Sequence, residues 1–219
     1  MGEHVKQVVV LGGTGYLGRP LVEKLLRDGF QVAAVARPGS EAKLPPGCVV
    51  ITGSALDSGT YEDHIPPGST LVHLVGTPHP APWKASEFRS VDLVSLEQSV
   101  AARKRAGAGH LVFVSVAHPA PVMRAFITVR MECEQKIRKS GLNATILRPW
   151  YILGPGHYWP YILAPLYKVL ETIPGTRESA LRLGLVTRPQ MVNALASAVA
   201  SNTRGIRVVE TAAIRSCAA

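Results

Sequence analysis

The sequence predicts an α/β protein built on a doubly wound, mostly parallel sheet with helices on both faces. Three observations lead to this prediction. Short apolar runs rich in Val, Leu and Ile alternate with segments that have the apolar period of a helix. Single helical segments separate most of these runs, and right-handed crossovers of that kind produce a parallel sheet. A glycine-rich segment, Gly12-Gly13-Thr14-Gly15-Tyr16-Leu17-Gly18, here named the glycine turn, connects the first strand to the first helix.

The first half of the chain alternates strands and helices in a regular order. Apolar runs at 8–11, 31–36 and 48–52 have the continuous hydrophobicity of strands that are buried on both faces of a sheet. A helix is predicted at 19–28, where leucines and valines recur at helical spacing and a glycine follows as the C-terminal cap. A fourth strand is predicted at 70–75.

The second half continues the alternation and then changes character. The predicted elements are a helix at 86–105, a strand at 110–115, a helix at 125–140, a strand at 143–147, a helix at 189–200 and a short strand at 206–209. Between 150 and 173 the sequence is rich in Trp, Tyr, Leu and Pro. We therefore expect a single domain over 1–219, in which 150–219 contributes a small substrate or cap region.

The composition argues against several classes of partner. The net charge is +9, but the basic residues are scattered, and surface solvation together with a polyanionic cofactor explains the excess without nucleic acid. The cysteines Cys48, Cys133 and Cys217 have the spacing of neither a zinc site nor a disulfide framework. The sequence indicates no cleaved leader, no membrane span and no metal site. We expect a cytoplasmic protein.

The glycine turn has the spacing and the context of a dinucleotide fingerprint. A strand precedes it, a helix follows it, and glycines stand at positions 12, 15 and 18. The first glycine permits a tight turn, the second lets the backbone approach a pyrophosphate, and the third lets helix and strand pack closely. The N-terminus of the helix then presents free N–H groups and a favourable dipole to the phosphates. The turn therefore predicts a nicotinamide dinucleotide as cofactor.

The residue after the second strand decides between the two nicotinamide cofactors. An NAD site usually has Asp or Glu there, to bind the ribose 2′-hydroxyl. In this chain the position is Arg37, and no carboxylate follows until Glu41. A guanidinium suits a bidentate contact with a 2′-phosphate, so NADP(H) is predicted ahead of NAD(H). The alternative is that Arg37 is an ordinary solvated arginine.

Several motifs together resemble the short-chain dehydrogenase/reductase superfamily. They are the glycine turn, Val91-Asp92 within a helix, the strand that ends at Ser115, Leu147-Arg148-Pro149 and Gly154-Pro155-Gly156. More narrowly, the chain is similar to atypical, NmrA-like and epimerase-like NAD(P)-binding proteins. The resemblance implies a Rossmann fold, and we expect the cofactor to contact Gly12, Thr14, Gly15, Tyr16, Leu17, Gly18, Arg37, Leu56, Val75, Gly76, Thr77, Ser115, Arg130 and Pro149.

The catalytic pair of the resembling family is altered in this sequence. The family uses Tyr-x-x-x-Lys on the helix after the fifth strand, where the tyrosine exchanges a proton with the substrate and the lysine holds the nicotinamide ribose. The matching positions here are Phe126 and Arg130. Phenylalanine cannot donate a proton, and arginine is a poor substitute for a compact lysine. The ordinary family mechanism therefore cannot operate from position 126.

Other side chains at the carboxyl edge of the sheet are weak catalytic candidates. Ser115, His118, Arg130 and Tyr151 form this group, and each has a plain structural alternative. His79 has the same ambiguity, and His157-Tyr158 follows the segment that passes the nicotinamide in the resembling family. His73 lies inside a strand and is interpreted as a satisfied core histidine.

Two functions remain open at this level. The first is an NADPH-dependent reductase of a small carbonyl, quinone or flavin-like compound, with the aromatic residues after 150 lining a flat, apolar pocket. The second is a non-catalytic NADP(H)-binding redox sensor or assembly factor, which the phenylalanine at position 126 favours. The same aromatic residues could instead cap the core or form a homodimer surface. A nucleotide-sugar epimerase is disfavoured, because it needs the missing tyrosine and a larger C-terminal domain.

Overall fold

A computed structural model describes residues 6–107, 109–120, 122–155, 182–201 and 203–217. Its strands are β1 (Gln7–Leu11), β2 (Gln31–Ala36), β3 (Val49–Thr52), β4 (Thr70–His73), β5 (His110–Val114), β6 (Asn143–Arg148), β7 (Tyr151–Leu153), β8 (Leu185–Thr187) and β9 (Ile206–Glu210). Seven of them form a parallel sheet in the order β3-β2-β1-β4-β5-β6-β9, and β7 pairs with β8 in a separate parallel ladder. The predicted doubly wound α/β fold is therefore confirmed.

Helices connect the strands and cover both faces of the sheet. They are α1 (Gly18–Arg27), α2 (Ala85–Glu87), a π-helical turn (Phe88–Leu93), α3 (Val94–Arg105), α4 (Arg124–Ser140), α5 (Arg188–Ala200) and α6 (Thr211–Arg215). Short 3₁₀ turns occur at Glu41–Lys43, Ser58–Thr60, Glu62–His64 and Pro82–Lys84. The predicted elements are all found, with ends that differ by two residues or fewer. Hydrophobic pattern alone did not indicate β7, β8, α6 or the π-helical turn.

The alternation of side chains along β1 explains why the sheet has two separate cores. Val8 and Val10 face the side covered by α1 and α5, whereas Val9 and Leu11 face the side covered by α3 and α4. All four side chains are buried. A strand that is covered on both faces needs apolar residues at every position, which is the continuous pattern seen in the sequence.

The strand order places the glycine turn at the point where the sheet changes direction. β2 and β3 lie on one side of β1, and β4, β5 and β6 lie on the other. Ligands of open α/β sheets bind outside the carboxyl ends of the strands at such a switch point. The segments that follow β1, β2, β4, β5 and β6 therefore define the candidate site. The part that contains the glycine turn and Arg37 is here named the β2 side, and the part that contains Gly76 and Thr77 is named the β4 side.

Candidate functional site

The glycine turn is shaped by close backbone contacts that exclude side chains. Gly12 has a φ of +84°, and a Cβ atom at this position would lie 3.1 Å from the backbone of Leu74. A Cβ at Gly18 would overlap the carbonyl oxygen of Gly12. The same oxygen accepts a hydrogen bond of 3.0 Å from the N–H of Gly15. Larger residues at positions 12 and 18 would therefore open the turn.

Helix α1 begins in this turn with an N-terminus that has no side-chain cap. Leu17 is the N-cap residue and makes no side-chain hydrogen bond to the helix, and the first turn contains no acidic residue. By contrast, α5 begins with a complete capping box between Thr187 and Gln190. The first N–H groups of a helix need partners and carry the positive end of its dipole. The residues of the glycine turn therefore fit a pyrophosphate.

Two further predicted contacts of the β2 side are exposed to solvent, and a third packs against another side chain. Arg37 directly follows β2 and is exposed, and Leu56 follows β3 with 43% of its surface exposed. Tyr16, in the glycine turn, packs under Arg188, whose guanidinium carbon lies 5.3 Å from the ring centroid. An exposed arginine at the end of β2 is accessible to an anionic group next to the turn.

The β4 side is organised around a buried ion pair. The Asp92 carboxylate accepts hydrogen bonds from the N–H and the hydroxyl of Thr77, at 2.8 and 2.6 Å. Its other oxygen lies 2.6 Å from Nη2 of Arg130. The Arg130 guanidinium also donates to the carbonyl of Val114 at 3.0 Å and lies so close to Gly76 that a Cβ there would overlap it. Arg130 thus contacts both the segment after β4 and the last residue of β5.

The phenylalanine at the family tyrosine position takes part in an aromatic stack. Phe126 contacts Phe88 edge-on, with ring centroids 5.1 Å apart. The guanidinium carbon of Arg130 lies 5.1 Å from the Phe126 centroid and 5.5 Å from the Phe113 centroid. The positions matching the tyrosine and the lysine therefore form a packed cation–π arrangement that offers no proton.

A second buried network joins α4 to β6 and β9. Oε1 of Glu134 accepts a hydrogen bond from the Ser115 hydroxyl at 2.6 Å and another from Nε of Arg148 at 2.9 Å. Arg148 also contacts the other Glu134 oxygen and, at 2.8 Å, Glu210. Burial by itself would raise the pKa of the Glu134 carboxyl, but the hydrogen bonds from Arg148 and Ser115 outweigh it and hold the pKa below its usual range.

The segments after β5 and β6 are tied to each other beside this network. The N–H of Ser115 donates to Leu147 at 2.7 Å, and the N–H of Ala117 donates to Pro149 at 2.8 Å. Nε2 of His118 lies 3.5 Å from Glu134, and 15% of the His118 side chain is exposed. Ser115 and His118 are thus brought together at the carboxyl edge, but both face the carboxylate of Glu134.

The other predicted residues are spread more widely. Val75 is half-buried after β4, Tyr151 is half-buried in β7, and His79 is exposed with a φ of +47°. His157-Tyr158 and the aromatic residues Trp159, Tyr161 and Tyr167 lie outside the described residues. Among the described residues, no group of His, Cys, Asp and Glu has an arrangement that could hold a metal ion.

His73 is a satisfied core histidine, as predicted. It is fully buried in β4, with Nδ1 2.8 Å from the hydroxyl of Ser99. Burial, together with the positive charge of Arg130, lowers the pKa of His73 to about 3. The imidazole is therefore neutral at physiological pH and belongs to the core.

Sequence reasoning missed the carboxylates that organise the β4 side and the network around Ser115. Asp92 was noted only as part of a motif, and Glu134 was not singled out. One signal was available for Glu134, because it follows Arg130 by one helical turn on a helix that also buries Cys133 and Ile137. A carboxylate on the apolar face of a helix needs a cationic partner, and Arg148 supplies it.

No helix in the described part of the chain has the length and apolar character needed to span a bilayer.

Residues 12–158 match a family of NAD(P)H-binding domains. The chain is 30% identical over 169 residues to the uncharacterized chloroplastic protein At2g34460 of Arabidopsis thaliana. This alignment covers 66% of this chain and 58% of that protein.

Two further relatives have names that describe different roles. A ceramide reductase of Caulobacter vibrioides is 28% identical over 154 residues, which cover 68% of this chain and 47% of the reductase. The photosystem II assembly factor Ycf39 of Cyanophora paradoxa is 26% identical over 148 residues, or 64% of this chain and 44% of the factor. The chain thus spans about half the length of these relatives.

Solved structures show the same fold at low sequence identity. The Bordetella bronchiseptica enzyme WbmH, crystallised with NAD+, superposes with a TM-score of 0.70 at 20% identity, over 95% of this chain and 76% of that one. The family match covers more than half of the chain and agrees with the geometry of the glycine turn. The chain therefore belongs to the family of NAD(P)H-binding domains and has a Rossmann fold.

Proposed function

We propose that this chain binds NADP(H) and uses it to reduce a small planar or apolar acceptor without the Tyr-x-x-x-Lys pair of the short-chain dehydrogenases/reductases that its sequence resembles. Two observations on the β2 side carry the proposal together: the N-terminus of α1 in the glycine turn has no side-chain cap, and Arg37 at the end of β2 is exposed. The turn supplies N–H groups for the pyrophosphate, and Arg37 supplies a cation for the 2′-phosphate.

The class of acceptor follows from the residues at the matching catalytic positions. When bound, the reduced nicotinamide supplies a hydride, and the protein has to position the acceptor and provide the proton. Phe126 offers no proton, which disfavours simple carbonyls that need one at the reacting oxygen. Quinones and flavin-like compounds can take their protons from water. A small cavity of about 200 Å³ lies beside Phe126, and its other lining residues are Pro82, Phe88, Met123, Arg124 and Ala125.

A second candidate function is a non-catalytic NADP(H)-binding sensor or assembly factor. The observation that favours it is that Ser115, Arg130 and Glu134 are bonded to other side chains and to the backbone of the protein itself. The similarity to Ycf39, an assembly factor by name, agrees with this alternative. The single-domain organisation over 1–219, the homodimer and the cytoplasmic location also stay proposals.

Turnover with defined acceptors separates the two candidates. NADPH or NADH is mixed with the protein and with a panel of quinones, flavins and small aldehydes, and the loss of absorbance at the nicotinamide band is followed. The reductase proposal expects turnover with NADPH and a quinone or flavin, and slower turnover with aldehydes. Tight NADPH binding without turnover across the panel would contradict it and favour the sensor.

A further inference from the structure

The Asp92–Arg130 ion pair contacts several backbone and side-chain groups of the β4 side. Both oxygens of Asp92 are used, one by Thr77 and the other by Arg130. Asp92 is fully buried, and the Arg130 side chain is only 9% exposed. Buried charges are tolerated only when partners and hydrogen bonds compensate their desolvation. Here the ion pair itself, Thr77 and the carbonyl of Val114 supply that compensation in large part.

The pair determines where the segment after β4 lies. Asp92 holds Thr77 through both its N–H and its hydroxyl, and the guanidinium of Arg130 lies against the backbone of Gly76. Asp92 belongs to the π-helical turn and Arg130 belongs to α4, so two helical elements fix one short loop. A Cβ at position 76 would overlap the guanidinium, so a larger residue there would displace Arg130 from its place beside Asp92.

The strand order separates this loop from Arg37. Arg37 follows β2 and the Gly76–Thr77 loop follows β4, and these two strands flank β1 from opposite directions. A dinucleotide that crosses the switch point has its two nucleotide halves over different strands, so the adenine end faces the β2 side and the nicotinamide end faces the β4 side. The loop at Gly76 and Thr77 therefore concerns one half of the cofactor.

From these contacts we infer that Asp92 and Arg130 are positioning residues for the nicotinamide half of the cofactor, which they serve by holding the Gly76–Thr77 loop in its binding conformation. This inference rests on the proposed function, since it assumes that the dinucleotide binds at the glycine turn. In this role Arg130 acts through the Gly76–Thr77 loop, with its charge paired with Asp92. Its contribution to affinity is a loop that needs no reordering when the ligand binds.

The test uses ligands that reach different parts of the site. NADPH extends over both sides of β1, whereas adenosine 2′,5′-bisphosphate contains only the adenine half with its 2′-phosphate. Both are titrated by calorimetry into the full chain and into Asp92→Asn, Arg130→Lys and Thr77→Val. Thermal unfolding of each protein without ligand is measured alongside. Glu97→Gln is the matched control, because it breaks an exposed ion pair of 2.7 Å with Lys136 between α3 and α4, the helix that carries Arg130.

The expected result is a loss that affects one ligand only. In Asp92→Asn the Kd of NADPH rises about tenfold, while the Kd of adenosine 2′,5′-bisphosphate changes less than about twofold. Arg130→Lys shows a smaller rise of the same kind, and Glu97→Gln shows none. Thr77→Val keeps the Asp92–Arg130 ion pair and removes the hydrogen bond from the Thr77 hydroxyl to Asp92. This variant therefore tests the inference if Asp92→Asn does not fold.

Two results would overturn the inference alone, and a third would overturn the proposed function and the inference with it. Equal losses for both ligands would mean a general structural role, and unchanged NADPH affinity in folded Asp92→Asn and Thr77→Val would mean no positioning role. If the folded wild-type chain binds neither ligand, the proposed function fails and the inference falls with it.

Discussion

The two sides of the carboxyl edge differ in what their polar groups are bonded to. On the β2 side, the N-terminus of α1 has no side-chain cap and Arg37 is exposed. On the β4 side, Asp92 and Arg130 pair with each other, and Glu134 binds Arg148 and Ser115 in the neighbouring network. The first region is built to receive an anion, and the second is completed by its own side chains.

This difference separates cofactor binding from catalysis. The features that bind a pyrophosphate are made by backbone and helix geometry, and they are present in this chain. The reactive groups of the short-chain dehydrogenases/reductases that the sequence resembles are side chains. At the matching positions this chain has Phe126, which has no acidic proton, and Arg130, whose charge is paired with Asp92. Binding and catalysis can therefore be broken by different substitutions.

The largest effect is expected from Gly18→Ala, which tests whether the β2 side depends on the backbone of the glycine turn. The added Cβ overlaps the carbonyl oxygen of Gly12 and pushes α1 away from the turn. We expect the Kd of NADPH to rise by at least about 100-fold, since both the pyrophosphate contacts and the helix N-terminus are displaced. Calorimetry measures the affinity, and Gly59→Ala, outside the turn, is the control. Normal affinity in Gly18→Ala would show that the ligand binds elsewhere.

The second effect is expected on stability, and it tests whether the network around Glu134 is structural. Glu134→Gln leaves the charge of Arg148 with a weaker partner in a buried setting, at a cost of about 3 kcal/mol in the free energy of unfolding. For a chain of this size the Tm should fall by about 6–12 °C. The exposed Glu97→Gln should cost less than about 1 kcal/mol. A Glu134→Gln protein with wild-type Tm and lost turnover would instead point to a catalytic carboxylate.

The third effect is a loss of stability in acid that originates in buried histidines of the sheet and in the network around Glu134. Burial lowers the pKa of His73 to about 3 and that of His110 to about 4, so the unfolded chain takes up protons below about pH 6.5 while the folded chain does not. Glu134, whose pKa is depressed, adds stability above its unfolded pKa that is lost as the pH falls through the folded value. We expect the Tm to decline from pH 6.5 towards pH 4, and a His110→Gln variant to decline less steeply. A Tm that is constant between pH 6.5 and pH 4 would contradict the lowered pKa values of His73 and His110.

The smallest effect is expected from Phe126→Tyr, which tests whether the β4 side retains hidden catalytic geometry. The variant restores the phenolic oxygen, but Arg130 stays paired with Asp92 and cannot lower the pKa of the tyrosine as a free lysine would. Aldehyde reduction should stay within about twofold of the wild-type rate. A large gain in aldehyde reduction would show that only the proton donor was lost.

The sequence predicted the sheet and its helices well because each depends on a local pattern. β1 and β2 are continuous apolar runs, and α1 has a clear amphipathic period that ends at a glycine. The glycine turn was equally readable, since its spacing reflects backbone contacts between neighbours in the chain. The β7–β8 ladder was missed because its strands have three residues each, too few to show a period.

The partners of the charged residues could not be predicted in the same way. Arg130 meets Asp92 across 38 positions of sequence, and Arg148 meets both Glu134 and Glu210. Such contacts depend on how helices pack on the sheet, which no local pattern records. For this reason Arg130 was predicted to contact the cofactor, whereas the structure places it in an ion pair beneath the loop, and direct contact stays a prediction.

The most direct test of the account is a calorimetric titration of NADPH and of NADH into the wild-type chain and into Arg37→Ala. The account predicts saturable binding of both, tighter for NADPH, and a rise of about tenfold in the Kd of NADPH when the guanidinium is removed. NADH affinity and the Tm of the unliganded protein should be unchanged in the variant. Tighter binding of NADH than of NADPH, or no binding by a folded protein, would contradict it.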